Sequence, residues 1–279
     1  MTNSTNFQEP SILERIVAQR RKDVEELKLI LPQKALEKRL REAPPTINFR
    51  KRLDEGHTSV IAEIKRASPS KGDIAVAIDA AQQASLYAKG GAAGISVLTE
   101  PKWFKGNLTD LQAARQIVED HTPERPGILR KDFIVDEYQI IESRNAGADA
   151  ILLIVACLGI DELTKFLEIT HELNMEALVE VNSAQEMEIA KKVNALLIGI
   201  NNRNLDTFEV DLNTTQKLAK NAPQQALLAA LSGISSREDV ERFESAGAKS
   251  VLVGEALMLA TNPSEVIADL VGTSRSQQQ

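Results

Sequence analysis

A chain of 279 residues with a formal charge of −7 has room for one large barrel or two small domains. Aromatic residues make up only 4%, so the core must be aliphatic, and a base-stacking nucleic-acid module is disfavoured; the acidic balance disfavours a general polyanion binder. The single cysteine, Cys157, leaves no disulfide framework and no cysteine metal cluster, and His57, His121 and His171 are too scattered for a metal site.

The polar start, MTNSTNFQEP, lacks the hydrophobic stretch of a signal peptide. The longest apolar run, 150–160, falls short of the roughly 20 residues that span a bilayer. A cytoplasmic protein without membrane or nucleic-acid partners is the expectation. Ser11 caps a predicted helix over 12–31, Pro32 breaks it, and a second helix is expected over 33–43, before Pro44 and Pro45.

From residue 58 apolar runs alternate with helical patterns. Strands are expected at 59–65, 94–98, 127–132, 150–155, 176–181, 195–201, 226–231 and 250–254. Helices are expected at 78–89, 108–119, 136–145, 161–173, 183–192, 213–220, 236–246 and 263–271, with Asp161, Ser183 and Ser236 as N-caps. Eight strand–helix units imply parallel pairing and a closed (β/α)8 barrel. An open doubly wound sheet would carry a glycine-rich phosphate loop after its first strand, and KRASPSKG is not one. The expected organisation is a single domain with a helical extension (1–57), a barrel (58–271) and a frayed tail (272–279).

Barrel chemistry gathers at the C-terminal ends of the strands, where alternation sends i and i+2 to one face. On the first strand Glu63 and Lys65 share the inner face with Ile61. A buried ion pair adds little net stability, so its presence in so apolar a strand points to function. On the third, Leu129, Lys131 and Phe133 face inward. On the fifth, Glu180 follows Leu178, and burial there suits it to acid–base work. On the sixth, Gly199, Asn201 and Arg203 share a face; arginine offers a fork for a carboxylate or phosphate. The last two strands end in LSGISS and LVGEALM, glycine turns that suit a phosphate cradle. Together these residues imply acid–base chemistry on a small phosphorylated anion.

The segments IAEIKRASPSKG (61–72), GISVLTE (94–100), LRKDFIVDEYQI (129–140), LVEVNS (178–183), IGINNRNL (198–205), SGI (232–234) and LVGEALM (252–258) resemble, in order, the indole-3-glycerol-phosphate synthase family. The resemblance implies a ribulose-phosphate-binding TIM barrel with extra N-terminal helices. It implies a carboxy-lyase of tryptophan biosynthesis that closes the ring of 1-(2-carboxyphenylamino)-1-deoxyribulose 5-phosphate, without a cofactor. By motif, Lys131 resembles the general acid and Glu180 the general base. Lys65 would orient substrate, Glu63 would position Lys65, and Asn201 and Arg203 would engage the substrate's reacting end. Phe133 would contact the aromatic ring, and Ser68 and Ser96 would be pocket residues. Ser232, Gly233, Gly254 and Glu255 would hold the phosphate through backbone N–H groups. Trp103 is expected to cover the pocket, and Cys157 to be an inert buried thiol.

One position departs from the family pattern. Leu231 stands where the family carries glutamate before Ser-Gly-Ile. It leaves open a divergent paralogue with altered activity, or a non-catalytic barrel that binds a phosphorylated ligand. An isomerase acting on a related phosphosugar is a further alternative, disfavoured by the lysines of the first and third strands. Monomer and dimer are both compatible with the composition.

Overall fold

A computed structural model of the protein describes residues 9–119 and 124–272. Eight parallel strands form a closed ring: β1 (Ser59–Ile64), β2 (Gly94–Leu98), β3 (Gly127–Lys131), β4 (Ala150–Ile154), β5 (Glu176–Val181), β6 (Leu197–Asn201), β7 (Leu227–Leu231) and β8 (Ser250–Val253). Each strand pairs with its successor, and β8 closes on β1 with Ser59 level with Ser250 and Ala62 with Val253. This is the expected TIM barrel. Its strands are buried on both faces, which explains their near-continuous apolar texture.

Residues facing outward, such as Val60, Ala62, Ile64 and Val179, pack under the helices. Ile61, Leu129, Leu152, Leu178 and Leu252 fill the ring itself. The surrounding helices are α4 (Ala80–Lys89), α5 (Leu108–Val118), α6 (Glu137–Ala146), α7 (Ile160–Glu172), α8 (Ala184–Lys192), α9 (Asn213–Ala219), α10 (Arg237–Ser245), α11 (Glu255–Leu259) and α12 (Pro263–Val271). Ser183 and Ser236 cap α8 and α10 as expected. Asp161 does not cap α7: the helix begins one residue earlier, and Glu162 accepts the Gly159 N–H at 3.3 Å, so Asp161 lies in the first turn. Gly272 is the left-handed C-cap of α12 rather than part of a tail; the remaining predicted tail, 273–279, lies outside the described residues, as do residues 1–8 and His121.

Ahead of the barrel lie α1 (Ile12–Ile30), α2 (Gln33–Arg39) and α3 (Phe49–Leu53). Ser11 caps α1 reciprocally: its hydroxyl accepts the Glu14 N–H, and Glu14 accepts the Ser11 N–H. α2 is shorter than its sequence pattern, because its last residues tighten into a 3-10 turn, Leu40–Glu42. The five-residue α3 was not predicted. It drives Phe49, fully buried, into the N-terminal opening of the ring. A Cβ at Gly127 would lie 2.3 Å from the Phe49 ring, and one at Gly94 3.1 Å, so β2 and β3 each start on the residue that leaves room for it.

The approach to α3 is clamped to the same end. Asp149 pairs with Arg125 through two bonds of 2.7 and 2.8 Å and accepts the Ile47 N–H at 2.9 Å. Arg115 and Arg125 donate to the Pro45 carbonyl, and Arg144 donates to that of Pro44. α1 is tied to the opposite end: Arg20 donates twice, at 3.0 Å, to Asp132 just after β3. Removing one partner of such a buried pair is costly even where the intact pair adds little.

Candidate active site

The C-terminal mouth of the barrel opens into a cavity of about 420 Å³. It is lined by Glu63, Lys65, Ser68, Lys131, Phe133, Glu180, Asn201, Arg203, Ser232, Gly233, Gly254 and Glu255, so twelve of the thirteen residues singled out from the sequence meet in one place. Ser96 does not line it. It stands level with Glu63 in the β1–β2 register, and its Oγ is fully buried with no hydrogen-bond partner. Glutamate is long enough to reach the cavity from that layer, and serine is not.

Strand order fixes how the charges face one another. β1 and β5 are opposite each other in the ring, with β3 midway between them. On β1, Lys65 follows Glu63, and its Nζ lies 2.9 Å from Glu63 Oε1. Across the cavity Glu180 is nearly buried, and Asn201 Nδ2 donates to its Oε1 at 2.8 Å. Glu180 Oε2 has no hydrogen-bond partner; the nearest cation, Lys131 Nζ on β3, stands 3.9 Å away. That is beyond hydrogen-bond range, so a proton acceptor and an ammonium sit side by side with neither committed to the other. Burial opposes the charge on Glu63, but Lys65 foremost, then Lys131 and Arg203, hold its pKa below the ordinary carboxylate value.

The backbone beneath Lys131 is fixed by its neighbour. Asp132 accepts hydrogen bonds from Arg20, Arg130, Thr99 and the Phe133 N–H. Burial works against its charge, and Arg20 and Arg130 outweigh that and lower its pKa. Asn201 Oδ1 accepts the Arg203 N–H at 3.0 Å, and the Arg203 guanidinium donates to the Phe208 carbonyl at 2.9 Å. Arg203 thus has no carboxylate partner among the described residues.

On the β7 and β8 side, Ser232 and Gly233 are successive left-handed residues, with φ of 68° and 80°. A side chain at Gly233 would strike Leu212, and one at Gly254 would come within 2.5 Å of Glu63 Oε1. The N–H groups of Ser232, Gly233 and Gly254 have no backbone partner among the described residues, leaving a concave set of donors of the kind that binds anions. Leu231 lines the floor beside Leu152 and Leu252, against the bare face of Gly199.

Trp103 is not in the lining; the aromatic wall comes from Phe104, 6.0 Å from Phe133 between ring centroids. Buried Glu100 accepts the N–H groups of Lys102, Trp103 and Phe104, curling the loop so that Phe104 turns inward, while Trp103 lies under Lys102 Nζ. Lys71 was also missed; it lines the cavity and pairs with Glu255 at 3.2 Å. Its only signal was its place in SPSKG after β1. Cys157 is partly buried outside the cavity lining, and burial pushes its thiol pKa up.

A family model described as indole-3-glycerol phosphate synthase matches residues 13–270. Among similar proteins, the multifunctional tryptophan biosynthesis protein of Schizosaccharomyces pombe is 52% identical over 271 residues, 96% of this chain and 36% of that protein. An indole-3-glycerol phosphate synthase of Dehalococcoides mccartyi is 43% identical over 261 residues, 93% of this chain and 100% of that one. The chain therefore spans about a third of the multifunctional relative and the whole of the bacterial one. Among solved structures, 3-hexulose-6-phosphate synthase superposes with a TM-score of 0.60 at 14% identity, covering 76% of this chain and 98% of that one. Thiamine phosphate pyrophosphorylase from Pyrococcus furiosus superposes with a TM-score of 0.58 at 17% identity, covering 80% and 96%. At such identities these two speak for the barrel alone.

Proposed function

The chain belongs to the indole-3-glycerol phosphate synthase family, and from that premise we propose that it converts 1-(2-carboxyphenylamino)-1-deoxyribulose 5-phosphate to indole-3-glycerol phosphate, carbon dioxide and water, as a carboxy-lyase of tryptophan biosynthesis. The observation that carries this reading is the uncommitted pair of Lys131 Nζ and Glu180 Oε2, 3.9 Å apart above an apolar floor. The phosphate rests on the backbone donors at Ser232, Gly233 and Gly254, with Glu255 and Ser68 at the rim. The aromatic ring lies against Phe133 and Phe104. Arg203, without a carboxylate partner, takes the substrate's carboxylate, and Asn201 holds the reacting end in place.

The ring carbon bearing the carboxylate attacks the ribulose carbonyl. As that carbon–carbon bond forms, the Lys131 ammonium gives the carbonyl oxygen a proton and stabilises its developing charge. Carbon dioxide leaves with its bonding electrons returned to the ring. The Lys65 ammonium gives the new hydroxyl a proton and it departs as water, while Glu180 takes the proton that the other side of the five-membered ring gives up as the double bond forms. Lys65, aligned by Glu63, supplies positive charge and orientation. Holding both reacting ends of a flexible substrate together removes a large entropic part of the barrier.

The divergent and binding-only readings of Leu231 are not favoured, since the chain matches synthases over nearly its whole length. In the same reading, the described residues ahead of the barrel, 9–57, and the barrel act as one domain: α1 braces the residue after Lys131, and α3 closes the far end. No described helix is long and apolar enough to cross a membrane, and the reading places the enzyme in the cytoplasm. The test is fluorescence-detected formation of the indole product. The intact chain is expected to turn over and Lys131→Ala to lose about 100-fold or more; turnover by Lys131→Ala at the parent rate would overturn the assignment.

A further inference from the structure

The cavity lining holds four cations, Lys65, Lys71, Lys131 and Arg203, and four carboxylates, Glu63, Asp132, Glu180 and Glu255. The formal count is balanced, and Arg203 is the one of these four cations without a carboxylate partner among the described residues. The carboxylates are distributed in an ordered way. Glu63 neutralises Lys65, Glu180 faces Lys131, and Asp132 is satisfied by Arg20 and Arg130. Glu255 remains, immediately after Gly254 in the anion cradle, a place where a carboxylate repels a phosphate. Its partner is Lys71, at 3.2 Å.

The three lysine pairs differ in what it takes to open them. Glu63 is buried, and separating it from Lys65 would strand a charge. Lys131 and Glu180 face the reacting atoms. Lys71 and Glu255 are half exposed, with side-chain exposures of 52% and 41%, so water can take over either partner at little cost. The backbone of Lys71 is anchored all the same. It sits in the turn of a small antiparallel ribbon formed by Ala67–Ser68 and Gly72–Asp73, and its N–H donates to the Ser68 hydroxyl at 3.2 Å. Only the side chain needs to move.

We infer that Lys71 is a phosphate ligand held in reserve by Glu255: the empty cavity keeps the ammonium neutralised, and a phosphate seated on the Gly233 and Gly254 amides takes it over while Glu255 turns to solvent. The pair discriminates by charge, because a neutral group in the cradle could not displace the carboxylate from Lys71. This inference rests on reading the cradle as a phosphate-ester site. It adds a ligand and a discriminating pair that the proposed mechanism does not need.

The two variants of the pair should move in opposite directions. Binding of inorganic phosphate to the full chain is measured by calorimetry, alongside KM and kcat for the carboxyphenylamino substrate. Lys71→Ala is expected to bind phosphate about fivefold more weakly, with KM rising by a similar factor and kcat falling less. Lys71→Arg, which keeps the charge, should recover most of the loss. Glu255→Gln is expected to bind phosphate about threefold more tightly, since it removes both the competitor and the repulsion. Unchanged phosphate affinity in Lys71→Ala, weaker affinity in Glu255→Gln, or no phosphate binding by the intact chain would each overturn the inference. Failure of the two readings is separable. Opposed shifts in phosphate affinity without indole formation would leave Lys71 in place and remove the synthase. Normal turnover with affinity indifferent to Lys71 would do the reverse.

Discussion

Asn201 occupies one oxygen of Glu180 and leaves the other bare. Its Nδ2 donates to Oε1 at 2.8 Å, and Oε2 faces Lys131 across 3.9 Å without a hydrogen bond. The amide therefore keeps the carboxylate from rotating onto the lysine and forming a closed, unreactive ion pair. Asn201→Ala is expected to lower kcat by about 10- to 100-fold with a smaller change in KM, read by steady-state kinetics. A rise in KM with kcat unchanged would point to a loss of binding instead.

Gly254 gives a second kinetic test. A methyl group there would come within 2.5 Å of Glu63 Oε1 and 3.2 Å of Lys65 Nζ. Gly254→Ala should displace the ion pair on β1 while leaving the barrel folded. Activity is expected to fall about 100-fold, as it does when a reactive group moves by about 1 Å, with an unchanged circular dichroism spectrum. Parent-level activity would mean that the Glu63–Lys65 geometry is not limiting.

Asp132 joins stability to pH. Its pKa lies below the ordinary 3.8 in the folded chain because Arg20 and Arg130 outweigh its burial. A depressed carboxylate contributes stability that is present above its unfolded value and is lost as pH falls through its folded one. Asp132→Asn should cost about 3 kcal/mol at neutral pH by removing the buried anion that Arg20 and Arg130 share, while Arg20 keeps Asp23 and Arg130 keeps Glu142. The difference from the parent should shrink below pH 3.8. Urea melts at neutral pH and near pH 3 would show it; a gap that stays constant across that range would refute the linkage.

Phe49 tests the other end of the barrel. Phe49→Ala opens a void between the bare faces of Gly94 and Gly127, and is expected to cost about 3–5 kcal/mol. Because the site lies at the opposite end, kcat of the folded fraction should hold. A stability loss below about 1 kcal/mol would mean that the plug is dispensable.

The barrel was legible because its signals are local and repeat. Apolar runs alternate with capped helices, and period-two alternation alone places Glu63, Lys131, Glu180 and Asn201 on the inner face. What escaped depends on residues distant in sequence. Nothing near Arg20 announces Asp132, 112 positions away, and nothing in the five residues of α3 announces that two strands begin on glycine to receive Phe49. Trp103 and Phe104 are adjacent, and only the curl imposed by Glu100 decides which of them faces the cavity. Ser96 had the right face and too short a side chain.

With Phe49 filling the far opening of the ring, the described residues leave the cavity open at its C-terminal mouth. In the proposed reaction, substrate entering and product leaving share that mouth in turn, past the ribbon that carries Lys71 and the loop that carries Phe104. Exit of the indole glycerol phosphate product in that reaction precedes every new arrival, and an accumulating product competes with substrate for the doorway itself. For the proposed reaction, traffic through that mouth caps turnover, however fast the bond-making beneath it becomes.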